Sequence, residues 1–104
     1  MTTPRVSLVV ISHNMARELP RTLLSLVPPY QRNCSGDAIE IIVVDNGSRV
    51  PPAAKIFERF QARFSLLHQA DPTVSPVAAI NTGLRAATAA LVGVWIDGAR
   101  LASP

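Results

Sequence analysis

Three features of this chain predict an α/β fold, a doubly wound and mostly parallel four-stranded sheet in the order 3-2-1-4 with three helices. Aliphatic runs alternate with amphipathic segments along the whole length. The runs show almost no polar alternation, so they read as strands covered on both faces, which is the habit of parallel sheets. Three of them end in polar clusters: Ser12-His13-Asn14, Asp45-Asn46-Gly47 and Asp97-Gly98. In an open α/β sheet the ligand sits beyond the carboxyl ends of the strands, where the winding reverses. In the order 3-2-1-4 that point lies between strands one and four, with Asp45 one strand away.

Strand one covers residues 5–11 (Arg-Val-Ser-Leu-Val-Val-Ile) and runs into Ser12-His13-Asn14. A helix over 15–27 follows, with Asn14 as its cap and Leu19, Leu23, Leu26 and Val27 at helical spacing. Pro20 belongs in its first turn or moves its start nearer residue 19, and Pro28-Pro29 stop it. Residues 30–38, with Gly36-Asp37, form a polar loop. Strand two, residues 39–44, is nearly all aliphatic and β-branched and ends in Asp45, and Asn46-Gly47 tolerate the positive φ of a sharp turn.

Arg49-Val50-Pro51-Pro52 lead stiffly into a helix over 53–64 with Ile56, Phe57, Phe60 and Phe64 on one face. Strand three is short, residues 66–68, and residues 69–76, holding Asp71, Thr73 and Ser75, are a loop at the carboxyl edge. A helix over 77–90 places Ile80, Leu84, Ala87 and Leu91 at helical steps. Gly83 inside it costs about 1 kcal/mol relative to alanine, so its presence points to close packing or to a ligand. Strand four, residues 91–96, ends in Asp97.

At 104 residues, 48% hydrophobic and 16% charged, the chain is one folding domain, residues 1–104. A net charge of +3 and a pI near 10.0 suit an anionic ligand such as a nucleotide diphosphate. The cations are scattered and the aromatic residues few, which argues against a nucleic-acid partner. Cys34 stands alone, so no internal disulfide forms and a reduced cytoplasmic setting is natural. No apolar run approaches the roughly 20 residues that span a bilayer, so the domain is expected to be soluble, with membrane association, peripheral to this domain, left to a partner or to sequence outside it. A dinucleotide-binding domain would need Gly-x-Gly-x-x-Gly after strand one, where this chain has Ser-His-Asn-Met-Ala-Arg. A phosphate loop is absent too, and the acids follow strands two and four rather than the first and third strands of a phospho-acceptor receiver.

Val6 to Asn14, Glu40 to Ser48 (Glu-Ile-Ile-Val-Val-Asp-Asn-Gly-Ser), Asn81-Thr82-Gly83-Leu84 with Ala86-Ala87, and Val94-Trp95-Ile96-Asp97-Gly98 resemble, in order and spacing, the nucleotide-binding half of family 2 glycosyltransferases of GT-A fold. The likeness covers essentially the whole chain. It implies a Rossmann-like, nucleotide-sugar-binding half of a hexosyltransferase, moving a sugar from a nucleotide-diphosphate donor, typically a UDP-sugar, in polysaccharide, cell-wall or glycolipid biosynthesis.

By that resemblance Ser12, His13 and Asn14 line the base and ribose pocket, and Asp45 accepts a hydrogen bond from the base or ribose. Asn81 lies near the donor, and Asp97 stands for the first acid of the Asp-x-Asp signature at a diphosphate bridged by a divalent metal, Mg or Mn. Two departures stand out. Ala99 replaces the second acid, usually the metal ligand, which leaves Asp97 alone in that role. Ala78-Ala79-Ile80 precede Asn81 where many relatives carry an arginine.

Arg100 reads either as a surface cation or as the charge that neutralises the diphosphate without a metal. Asn81 reads equally as a donor contact or as a helix-surface residue, and His13 and His68 as structural residues. The acceptor-binding half and its general base have no counterpart here, so catalytic residues are not assigned and the chain reads as a fragment carrying the donor site. Its alternative is a non-catalytic module pairing with a partner, or with itself, through an open sheet edge at strand four.

Overall fold

The computed structural model describes residues 3–69, 75–96 and 98–102. Four strands, β1 (Val6–Ser12), β2 (Ile39–Asp45), β3 (Arg63–His68) and β4 (Leu91–Ile96), form one sheet in the order β3-β2-β1-β4. All three pairings are parallel, with Val6 opposite both Ile39 and Leu91 and Glu40 opposite Arg63. The predicted topology is the observed one.

Helix α1 (Leu19–Leu26) covers one face. Its stripe of Leu19, Leu23 and Leu26, with Val27 just past its end, packs buried on Val10, Ile39, Ile41 and Val43. Asn14 does not cap it. Asn14 has a left-handed φ of 54°, Met15 to Glu18 form a turn closed by the Leu19 N–H on the Met15 carbonyl at 2.9 Å, and Glu18 takes the cap position. Proline explains the later start: Pro20 occupies the first turn, where its missing N–H costs nothing.

The second predicted helix is a 3-10 segment, Ala54–Arg59, and it ends early. Phe64 has left it for β3, which begins at Arg63 rather than 66. The ring of Phe64 stacks on Phe57 at 4.8 Å between centroids, and Phe60 lies against it at 6.2 Å. The four apolar residues read as one helical stripe thus do meet on the core, from two elements instead of one.

Helix α2 (Val77–Ala86) covers the other face over Val9, Ile11, Ile42 and Val44, and stops short of the predicted residue 90. Ala79 and Gly83 form its buried line, while Leu84 and Leu91, assigned to that line by spacing, are exposed. The reason is size. A Cβ on Gly83 would stand 2.3 Å from Val9 Cγ1, so the small residues are where the helix touches the sheet. Close packing therefore explains Gly83.

Three elements cannot cover both faces of four strands. Val92, Val94 and Ile96 alternate along β4 beside Ser7, Val9 and Ile11 on the α2 side, and are 36%, 42% and 48% exposed. An uncovered apolar row is thus present on β4, the strand whose edge the sequence analysis reads as open. No helix among the described residues is long and apolar enough to cross a membrane.

After β4 the chain turns at Gly98 and runs along α1. Gly98 N–H donates to Thr22 Oγ1 at 3.2 Å, Leu101 N–H to Ser25 Oγ at 3.0 Å, and the Gln31 amide to the Ala102 carbonyl at 3.1 Å.

Candidate functional site

The carboxyl ends of β1 and β2 lie side by side, Ser12 opposite Asp45, and the Asn46 N–H extends their ladder to the Ser12 carbonyl at 2.8 Å. Beyond them the two loops are laced together by side chains. Gly47 turns the second loop with φ 73°, the conformation that favours glycine. Ser48 Oγ then donates to Asp45 Oδ1 and accepts the Asn14 N–H at 2.9 Å. Asn14 Oδ1 accepts the Arg49 N–H at 2.7 Å.

His13 Nδ1–H donates to the Asn46 carbonyl at 2.7 Å, which leaves Nε2 as the acceptor for the Asn14 amide at 3.2 Å. Ser12, His13, Asn14 and Asp45 are thus brought together, as the sequence predicts. Ser12 and Asp45 are buried; His13 and Asn14 are exposed. Ser12 Oγ is buried with no hydrogen-bond partner among the described residues.

The same register row continues to β3, where His68 stands opposite Asp45. Its Nδ1 lies 3.6 Å from Asp45 Oδ2, with the imidazole 59% and the carboxylate 4% exposed. Residue-type reasoning read His68 as a structural residue. The signal that marks it is register, since it ends its strand as Ser12 and Asp45 end theirs.

The other predicted residues are placed differently. Asn81 is exposed on α2, which packs on the opposite face from α1. Arg100 lies in the segment that follows α1, lining with Arg21 and Tyr30 a cavity of about 460 Å3. Asp97 lies outside the described residues, as do residues 70–74 of the loop before α2. Asn14 lines a cavity of about 450 Å3 with Arg17 and Arg49, two cations at this rim that the sequence reading did not single out. A more spacious cavity of about 590 Å3, with Arg5 and Arg32 in its lining, includes the first residues of β1 and β2 and so sits at the far rim. Among the described residues no three His, Cys, Asp or Glu side chains gather to hold a metal ion.

The profile of glycosyl transferase family 2 matches residues 7–98, nearly the whole chain. The chain belongs to glycosyl transferase family 2. No curated protein sequence matches this family 2 chain significantly. Among solved structures, S. aureus TarS 1-349 superposes with a TM-score of 0.75 at 20% identity, over 88% of this chain and 27% of that one. The mannosyltransferase PcManGT from Pyrobaculum calidifontis, solved with GDP-Man and Mn2+, superposes with a TM-score of 0.62 at 25% identity, over 85% of this chain and 26% of its own. The family 2 chain therefore spans about a quarter of the length of these neighbours.

Proposed function

We propose that this family 2 chain carries the donor site of a glycosyltransferase, binding a nucleotide-diphosphate sugar for transfer to an acceptor. The observation that carries the reading is the lacing of Asn14, Ser48 and Asp45 across the carboxyl ends of the two central strands. It fixes a carboxylate and a polar corner at the place where an α/β sheet receives its ligand. Ser12, His13, Asn14 and Asp45 hold the base and ribose of a UDP-sugar or similar donor, and Asn81 is a further donor contact. Asp97 and Arg100 serve the diphosphate.

A divalent ion would be held by the diphosphate oxygens with Asp97 as its protein carboxylate, since Ala99 supplies no second acid. It would screen the phosphate charge. The exposed apolar row of β4 supports the accompanying proposal that this face packs on the acceptor-binding half, or on a second copy where that half is missing.

Calorimetric titration with nucleoside diphosphates and nucleotide sugars, with and without Mg2+ or Mn2+, tests the reading. Binding that Asp45→Ala abolishes supports it, and no binding by the intact, folded chain to any of them ends it. Turnover after addition of an acceptor half separates a transferase from a non-catalytic module.

A further inference from the structure

The first residues of β1 and β2 lie at the rim away from the candidate donor site, and α1 is too short to cover them. Eight residues of helix span about 12 Å and seven residues of strand about 23 Å, so one such helix leaves part of its sheet face open. The space left there is the cavity of about 590 Å3, within the size range of small-molecule pockets. None of Ser12, His13, Asn14 and Asp45 lines it. Its walls are of two kinds. Val6 and Leu8 from β1, Ile39 from β2, Leu26 from the end of α1 and Leu101 from the chain after β4 supply aliphatic surface. Arg5 and Arg32 supply two positive charges, and no acidic side chain lines the cavity among the described residues. Leu26 and Ile39 are buried and both arginines exposed, so the apolar part lies deep and the charge lies near solvent. The Leu101 wall is held in place: its N–H donates to Ser25 Oγ at 3.0 Å, and the Gln31 amide donates to the Ser25 and Ala102 carbonyls at 2.8 and 3.1 Å.

We propose that this cavity is a second ligand site, taking a single-chain amphiphile with an anionic head. The hydrocarbon tail lies against Val6, Leu8 and Leu26, and the carboxylate or phosphate head meets Arg5 and Arg32. Arginine suits either head, because its planar fork matches both geometries and its aliphatic stem lies along apolar surface. An uncharged amphiphile forfeits the contact with the head, and a small inorganic anion forfeits the burial of the tail. The site shares no residue with the donor site, so it stands or falls independently of the donor-binding reading.

Calorimetric titration of the full chain with octanoate and octyl phosphate, kept below their micelle concentrations, tests the proposal. Both should bind, and the tighter of the two identifies the head as carboxylate or phosphate. Hexanoate should bind about tenfold more weakly than octanoate, because two fewer methylenes leave water. Octanol should bind about tenfold more weakly or worse, for want of a charged head. Arg5→Ala should weaken octanoate about tenfold and leave octanol unchanged, and Arg5→Lys should restore part of the loss. Ala38→Phe, which puts a ring into the cavity from its lining, should abolish binding of both. Val94→Lys should leave octanoate binding unchanged, because the exposed row of β4 lies on the α2 side of the sheet. No binding of either anionic amphiphile overturns the proposal. So do Arg5→Ala losses that are absent or equal for octanoate and octanol, a loss of octanoate binding in Val94→Lys, or displacement of octanoate by UDP. Unchanged circular dichroism and melting of each variant show that it is folded.

Discussion

Ser7 Oγ donates a 2.6 Å hydrogen bond to Glu40 Oε1, and the same oxygen accepts the Thr88 N–H and Thr88 hydroxyl, each at 3.0 Å. Ser7 Oγ in turn accepts the Ala89 N–H at 3.0 Å. One carboxylate thus ties β1, β2 and the approach to β4 at the rim opposite the candidate site. Burial pushes the Glu40 carboxyl up, but the hydrogen bonds from Ser7 and Thr88 and the charge of Arg63 outweigh it and hold its pKa below the ordinary 4.5. A depressed folded pKa means that this stabilisation is present above pH 4.5 and is lost as pH falls through the lower folded value. Glu40→Gln should therefore melt lower at neutral pH and lose less stability than wild type on acidification, as thermal scans from pH 7 to 3 would read. Glu40→Ala should cost about 2 kcal/mol in urea unfolding, the scale of hydrogen bonds to a charged group.

Gly83 lies directly against Val9 of the sheet. Gly83→Ala gains helix propensity of about 1 kcal/mol but drives a methyl into Val9, and overpacking of a core costs about 1–3 kcal/mol. The expected outcome is net destabilisation, read by denaturant unfolding. The pair Gly83→Ala, Val9→Ala should recover part of what Gly83→Ala loses, because it removes the atoms that collide.

Ser48 links Asp45 to the Asn14 backbone. Ser48→Ala removes the donor to the carboxylate and the acceptor of the Asn14 N–H together, so it should weaken nucleotide binding by about tenfold or more. Ser48→Thr, which keeps the hydroxyl, should restore it. Affinity measured on both variants checks this, and a full-affinity Ser48→Ala chain would show that the lacing does not shape the pocket.

Val92 and Val94 expose apolar side chains on an edge strand that carries no charge. Edges of this kind pair with other chains unless a charge guards them. Val94→Lys should raise the monomer fraction in sedimentation or light scattering at micromolar concentration and change unfolding stability little, because the replaced side chain is already partly in water. A wild-type chain that stays monomeric at millimolar concentration would contradict this.

The sequence by itself determined the winding. Three largely aliphatic runs and the short stretch at Leu66-Leu67, separated by segments of helical spacing, leave a parallel sheet with right-handed crossovers, and the three longer runs carry a polar cluster at the carboxyl end. Ser12, His13, Asn14 and Asp45 were legible for that reason, because the end of a strand is a local property of the chain. Family membership was legible from the same stretches.

Other features were decided by packing at a distance. Phe64 leaves a helical pattern for β3 because its ring stacks on Phe57 from there, and Leu84 yields the α2 contact line to Ala79 and Gly83 because only small side chains let the helix reach Val9. Helical spacing alone separates neither case. His68 comes beside Asp45 through strand register, which relates residues far apart in sequence, and Arg100 follows α1 because Thr22 and Ser25 hold the backbone on either side of it. Local chemistry wrote which strand ends are polar; only the lateral alignment of strands and helices set which of those ends share one site.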